Sequence, residues 1–185
     1  KLGYPLVISP EFTVALIKRK MEEYKKGSAS RLKTIQIKSS KERISLGQIK
    51  LGFFDVEHSI IDSIGVIISS PVATAIHMGD WTLDIDSSGR KLSYNFLSKL
   101  NKPTILMIES LGAVNRQPLV TEENMWKNIK TIIDAAPGRI IIATFSTQVK
   151  RIREILNYIE KIGKKVAIDG YSMRMILEIA KKLGY

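Results

Sequence analysis

Both histidines of this 185-residue chain stand in two short strings, Glu57-His58-Ser59-Ile60-Ile61-Asp62-Ser63 and Ile76-His77-Met78-Gly79-Asp80. Each string follows an apolar, strand-like run and carries a carboxylate at or next to its end. A His and an Asp delivered from neighbouring strand ends are the raw material of a hydrolytic metal site, because zinc takes neutral imidazole and carboxylate ligands at about 2.0–2.2 Å and keeps one position open for water. In two-metal hydrolases a carboxylate can bridge the ions. Asp80 is placed to do so, with Gly79 allowing close backbone approach. Taken singly, a histidine near a strand end is usually structural and Gly-Asp after a strand usually a turn; the pairing raises the functional reading. His77, three residues before Asp80, either orients the site from behind the ligands or simply sits in the sheet. Two histidines are too few to complete a zinc site by themselves, and an HxHxDH motif cannot exist in this chain.

Three other loops carry polar chemistry. Glu109 follows the apolar run Thr104 to Ile108, at the carboxyl end of a strand where ligands of open α/β sheets collect; the alternative is an exposed or helix-capping carboxylate. Thr144-Phe145-Ser146-Thr147-Gln148 precedes a helix and offers hydroxyls, an amide and helix N-terminal N–H groups suited to a phosphate, with Phe145 able to stack on a base. In the alternative, Phe145 is core and Ser146 or Thr147 is a cap. Ser172, in Gly170-Tyr171-Ser172-Met173, occupies the corresponding place before the last helix.

These residues need elements to hold them. Leu6 to Ile8 is a short strand, and Ser9 with Pro10 opens a helix whose apolar stripe is Val14, Ile17, Met21 and Tyr24. Alternation predicts strands at 35–37 and 44–46; 49–56 reads as another strand running into His58, and 66–68 and 73–76 as the next pair, with a turn near Ser70-Pro71. A polar, turn-rich stretch from Asp84 to Gly89 marks a boundary. Beyond it strands and helices alternate: a strand at 104–108, a helix capped by Thr121, a continuous apolar strand at 139–144 of the buried parallel kind, a helix lined by Val149, Ile152, Leu156 and Ile159, a strand at 166–168, and a last helix ending at Gly184. The pattern predicts a β-rich first half and a small parallel sheet with right-handed crossovers in the second.

Composition narrows the chemistry. Hydrophobic residues make up 44% and charged residues 25%, ordinary for a globular chain. With no Cys, disulfides, thiolate metal sites and a Cys nucleophile are excluded. No Gly-x-Ser-x-Gly elbow, Walker motif or Gly-x-Gly-x-x-Gly occurs. No apolar run reaches the roughly 18 residues needed to span a bilayer, and no helix pairs a basic face with a large exposed apolar one, so a membrane partner is not expected. The net charge of +11 reads either as a solvated basic surface or as a surface for a polyanion, nucleic acid first. The chain starts at Lys1 rather than Met, so its first residue is not expected to be an intact start.

The ordered series of motifs resembles the ribonuclease J branch of the metallo-β-lactamase/β-CASP nucleases. His58-Ser59-Ile60-Ile61-Asp62-Ser63 is similar to that family's His-Ser-Ile-Pro-Asp-Ser, and Ile76-His77-Met78-Gly79-Asp80-Trp81 to its Val-His-Thr-Gly-Asp-Phe. Ile108-Glu109-Ser110 sits where the β-CASP acidic motif falls. Residues 138–146, residues 163–173 and Leu183-Gly184-Tyr185 match further signature stretches, and the likeness runs in order from about Tyr4 to Tyr185. The sequence departs from the pattern at Ile61, where the family has Pro, at Tyr171, where it has Arg, and at Gln148-Val149-Lys150-Arg151, where it has Asn-Ile-His-Arg.

The resemblance implies an α/β fold: part of a metallo-β-lactamase αββα layer over residues 1–86, then part of a Rossmann-like β-CASP parallel sheet with flanking helices over 87–185. It implies a cytoplasmic hydrolase that uses two zinc ions to cut RNA phosphodiesters in 5′-to-3′ exonuclease and endonuclease modes, and that assembles as a homo-oligomer, a dimer or tetramer. His58 would ligate zinc, Asp80 would bridge both ions, Glu109 would position groups near them, His77 would lend support, and Phe145, Ser146, Gln148 and Ser172 would face RNA. The family's HxHxDH would precede the region present and its late β-CASP motifs would follow it, so the chain is expected to be an internal part, inactive alone. Two rivals remain: a non-catalytic RNA-binding module, and a DNA-directed or small-molecule metallo-hydrolase of the same superfamily.

Overall fold

The computed structural model describes residues 4–82, 94–100, 103–111, 113–114 and 121–185. The boundary expected near Asp84 to Gly89 lies outside them. The chain divides into two compact units, the first built from residues 1–43, 59–63 and 145–185, the second from 44–58 and 64–144.

In the first unit, strand β1 (Val7–Pro10) leads straight into helix α1 (Glu11–Tyr24), and a 3-10 turn (Ala29–Arg31) precedes β2 (Thr34–Ile37). β1 and β2 pair in parallel, Val7 opposite Thr34 and Pro10 opposite Ile37. Parallel neighbours cannot be joined by a tight turn, and α1 is the crossover that the geometry demands. Pro10, with φ −60°, is itself the N-cap of α1 and makes no side-chain cap bond, while Ser9 stays in β1 instead of capping as expected. Helices α3 (Val149–Lys161) and α4 (Tyr171–Lys182) complete the unit. Phe12, Val149, Ile176 and Ala180 form its core, with Leu16, Ile60, Ile61, Met175, Ile179 and Leu183 packed around them. Ile60 and Ile61 are thus anchors: these two apolar residues of the first histidine string belong to the packing of the helical unit. Tyr185 closes on the same core, edge-to-face against Phe12 at 5.9 Å. Its hydroxyl donates to the Asp62 carboxylate. Burial first, then that hydrogen bond and the Asp62 charge, push the phenol far above its ordinary range. Asp62 adopts φ +59°, a left-handed conformation that Asp tolerates better than most residues.

The second unit is a five-stranded sheet ordered β3-β4-β5-β6-β7, from β3 (Arg43–Leu46), β4 (Ile49–Asp55), β5 (Ile64–Ser69), β6 (Thr74–His77) and β7 (Thr104–Met107). β4 pairs antiparallel with β5, β5 antiparallel with β6, and β6 parallel with β7. The period-2 residues Phe54, Val56, Ile76 and Met78 form the buried face, covered by Ile67, Trp81, Tyr94, Leu97 and Leu100. Phe54 meets Tyr94 and Phe96 edge-to-face at 6.2 and 5.4 Å, and Trp81 meets Tyr94 at 6.3 Å, arrangements that add to area burial. Gly65, the cross-strand partner of Phe54, leaves room for that ring: a Cβ there would run well inside van der Waals contact with it. Gly65→Ala is therefore expected to lower stability by about 1–3 kcal/mol through overpacking, read as a shift in the urea midpoint. An unchanged midpoint would mean the ring moves freely.

Helix α2 (Glu122–Ala135) starts as the sequence predicts, with Thr121 Oγ1 accepting from Asn124 N at 3.2 Å. Two expected strands do not form. Residues 139–144 and 166–168 enter neither sheet; Ile141 is 89% exposed and Ile142, Val166 and Ile168 are exposed as well. A strand is a relation between two segments. Apolarity fixes the candidacy of Ile140 to Ala143, but without a hydrogen-bonded neighbour no ladder exists. The architecture is thus mixed α/β, with parallel pairing at β1–β2 and β6–β7 rather than in a run of successive βα repeats. No helix among the described residues is long and apolar enough to cross a membrane.

Candidate functional site at the carboxyl edge of the five-stranded sheet

Since β5 runs against both neighbours and β7 runs with β6, the strands β4, β6 and β7 share one direction. Their carboxyl ends lie along one edge of the sheet, and each is followed by a candidate residue: His58 three positions after β4, Asp80 three after β6, Glu109 two after β7. At about 4.8 Å between neighbouring strands, β6 and β7 are adjacent while β5 separates β4 from β6. The gap across the end of β5 is closed by a direct tie. Thr82 N donates to Glu57 O at 2.7 Å, and Thr82 Oγ1 to the same oxygen at 3.3 Å. The residue beside His58 is thereby fastened to the residue two beyond Asp80. On the other side Met78 N donates to Met107 O at 3.0 Å, extending the β6–β7 ladder up to the loops of Asp80 and Glu109.

His58 is half-buried, and its buried Nδ1 has no hydrogen-bond partner among the described residues. A buried polar atom left unsatisfied costs free energy, and a coordinated ion is one way to satisfy an imidazole nitrogen. Asp80 is exposed. His77 ends β6, exposed, and its Nδ1 accepts from Gly79 N at 3.0 Å. This bond shapes the turn at Gly79, whose φ of +69° disfavours any residue with a Cβ, and so aims the chain at Asp80. The side chain of His77 therefore shapes the Asp80 loop. Glu109 is half-buried and its Oε2 accepts from Leu111 N at 2.6 Å, which commits part of the carboxylate to its own loop.

Trp81 and Tyr94, which the sequence did not single out as site residues, pack against the cluster of Phe54, Val56, Ile76 and Met78. Burial raises the Tyr94 phenol; the Glu57 backbone pulls it back, and the Glu57 and Asp55 carboxylates push it up further. The signal for them was available in Trp81, directly after Asp80, but not in Tyr94, whose place depends on tertiary packing.

The donors are of the right kind for zinc, an imidazole nitrogen and carboxylate oxygens, but the described residues do not gather them into one cluster. Among the described residues no group of three or more His, Cys, Asp or Glu could hold a metal ion, and a zinc site takes three or four protein ligands. His58, Asp80 and Glu109 do not hold a metal on their own.

The other four candidates lie in the helical unit. Phe145 is 77% exposed, so it does not fill the core. Its carbonyl accepts from Gln148 N at 3.1 Å, which places Ser146 in a tight turn before α3. Gln148 is the N-cap of α3 and its Oε1 accepts from Arg151. Ser172 is exposed in the first turn of α4, after Gly170 at φ +95°. Phe145, Ser146 and Gln148 thus share one turn, while Ser172 belongs to another helix.

Residues 137–185 match the family model described as "Ribonuclease J, beta-CASP domain". Over 97% of its length the chain is 32% identical to ribonuclease J of Thermus thermophilus. The chain is ribonuclease J-like. This ribonuclease J-like chain is also 28% identical over its whole length to ribonuclease J of Mycoplasma pneumoniae, and 29% identical over 98% of it to that of Synechocystis sp.. It spans about a third of the length of these curated relatives, 32%, 32% and 28% respectively. A solved structure, a protein of unknown function from Enterococcus faecalis, superposes with a TM-score of 0.62 over 88% of this chain and 46% of its own, at 17% identity; that likeness concerns the fold alone.

Proposed function

We propose that this chain is the central part of a zinc-dependent ribonuclease, comprising the end of a metallo-β-lactamase domain up to about Asp86 and the beginning of a β-CASP domain after it. The observation that carries this reading is that His58, Asp80 and Glu109 each follow a strand that ends on the same sheet edge, with Glu57 O, next to His58, tied to Thr82 N, two beyond Asp80. The likeness to ribonucleases J along nearly the whole chain supports it. The remaining ligands would come from the two-thirds of the relatives' length that this chain does not span.

When bound, zinc supplies Lewis-acid polarisation of the phosphate and a hydroxide nucleophile at neutral pH. His58 would hold the metal through an imidazole nitrogen and Asp80 through its carboxylate. His77 would keep the Gly79 turn in shape, and Glu109 would fix the loop beside Asp80. Phe145, Ser146, Gln148 and Ser172 would meet the RNA. The enzyme would act in the cytoplasm as a homo-oligomer, on RNA from its 5′ end and internally.

The isolated 185-residue chain is expected to release no product from 5′-labelled RNA in the presence of zinc, while the polypeptide of the relatives' length cleaves it and EDTA stops it. Zinc-dependent cleavage by the isolated chain would refute the shared-ligand reading. Metal-free, salt-sensitive RNA binding with no cleavage by the long form would point instead to a non-catalytic RNA-binding module.

A further inference from the structure

The positive charge of this chain is not shared between its units. The helical unit, residues 1–43, 59–63 and 145–185, holds 20 Lys and Arg against 9 Asp and Glu; the sheet unit holds 9 against 9. The whole net charge of +11 thus falls on the unit that lacks His58, Asp80 and Glu109. Within it, residues 18–33 carry a dense run: Lys18, Arg19, Lys20, Lys25, Lys26, Arg31 and Lys33 against Glu22 and Glu23.

The end of α1 presents part of this run in a defined geometry. Tyr24, the last helical residue, is 93% exposed. Lys20 lies one turn earlier on the same face, and Lys25 and Lys26 follow immediately; all three lysines are exposed. The loop behind them is clamped rather than loose. The Glu22 carboxylate accepts from Gly27 N at 2.7 Å and from Ala29 N at 2.8 Å, and Ser28 Oγ donates to Met21 O at 2.7 Å. Those two backbone bonds, first Gly27 and then Ala29, hold the Glu22 carboxyl below the ordinary carboxylate range. Glu23 is engaged by Arg19 at 3.2 Å and by the Tyr171 hydroxyl at 3.1 Å. Both nearby carboxylates are therefore tied to structure, and among the described residues Lys20 and Lys25 pair with neither. Lysines at a helix carboxyl end also favour the helix dipole, but that accounts for neither an exposed tyrosine among them nor the charge imbalance between units.

We propose that the carboxyl end of α1 is a docking surface for the backbone of single-stranded RNA, with Lys20, Lys25 and Lys26 on phosphates and Tyr24 stacked against a base. Cations exchange condensed counterions for phosphates, and an exposed aromatic among them is how single strands are held without sequence preference. The proposal takes RNA as the polyanion from the function proposed above, and otherwise stands apart from the sheet-edge site.

The test is fluorescence anisotropy of labelled oligouridine with the 185-residue chain over a salt series, in EDTA. The triple variant Lys20→Gln, Lys25→Gln, Lys26→Gln should flatten the slope of log K against log salt by about 2, at roughly 0.7 per lost contact. Tyr24→Ala should weaken binding about tenfold with the slope retained. A control triple on the sheet unit, Lys50→Gln, Lys99→Gln, Lys127→Gln, should leave the slope near that of the unsubstituted chain. An unchanged slope in the α1 triple, an equal effect of the two triples, or no binding at low salt would each overturn the proposal. The catalytic reading fails separately, if Asp80→Asn in the long form leaves RNA cleavage intact.

Discussion

Replacing Asp80 by Asn in the polypeptide of the relatives' length is expected to lower kcat/KM for RNA cleavage about a thousandfold or more. The substitution keeps the shape and removes the charge. A carboxamide is a poor ligand for a hard or borderline dication and cannot bridge two of them. Lewis-acid stabilisation of a phosphoryl transition state is worth several kcal/mol, and each 1.36 kcal/mol is a factor of ten in rate. Asp80 is exposed at the end of the β6 loop, so the fold should survive, with the far-ultraviolet circular dichroism spectrum and unfolding midpoint close to those of the unsubstituted protein. A variant that folds and cleaves normally would remove Asp80 from the site.

Phe12→Ala should have the largest effect on stability. Phe12 is fully buried, at the centre of the helical core and against the ring of Tyr185. Truncating such a residue costs about 3–5 kcal/mol, the transfer loss plus the cavity left behind. At this chain length that is a fall of about 10 °C in the thermal midpoint. Leu111, which is 94% exposed, is the matched control: Leu111→Ala should change stability by less than about 0.5 kcal/mol. Equal effects of the two would contradict the core described.

Local features were legible where they depend on neighbours in sequence. The apolar stretches at 49–56 and 73–76 read as strands, and β4 and β6 form there. Thr121 marks a helix start through its own oxygen. His58, Asp80 and Glu109 could each be placed after a strand, and the order of strand directions then brings them to one edge. What was not legible depends on partners far along the chain. Ile140 to Ala143 is apolar enough for a buried strand, yet pairing is not written in one segment. Ile60 and Ile61 lie in sequence between β4 and β5 yet belong to the helical unit and its core, which no local period reveals. The Glu57–Thr82 tie, the reach of Tyr94 beside Glu57, and the gathering of all the net charge on one unit likewise exist only once the chain is folded. His77 falls between these cases: its nearness to Asp80 was visible, but its acceptance of the Gly79 N–H, which gives it a definite task, was not.

The proposed zinc-ligand roles of His58 and Asp80 would need further ligands, since the described residues hold no metal-binding group of three. Zinc content per polypeptide, measured by elemental analysis on the long form and on its His58→Ala variant, tests these roles most directly. Two zinc ions are expected in the unsubstituted protein and a clear loss in His58→Ala, with circular dichroism unchanged. Equal zinc content in the two proteins would contradict them.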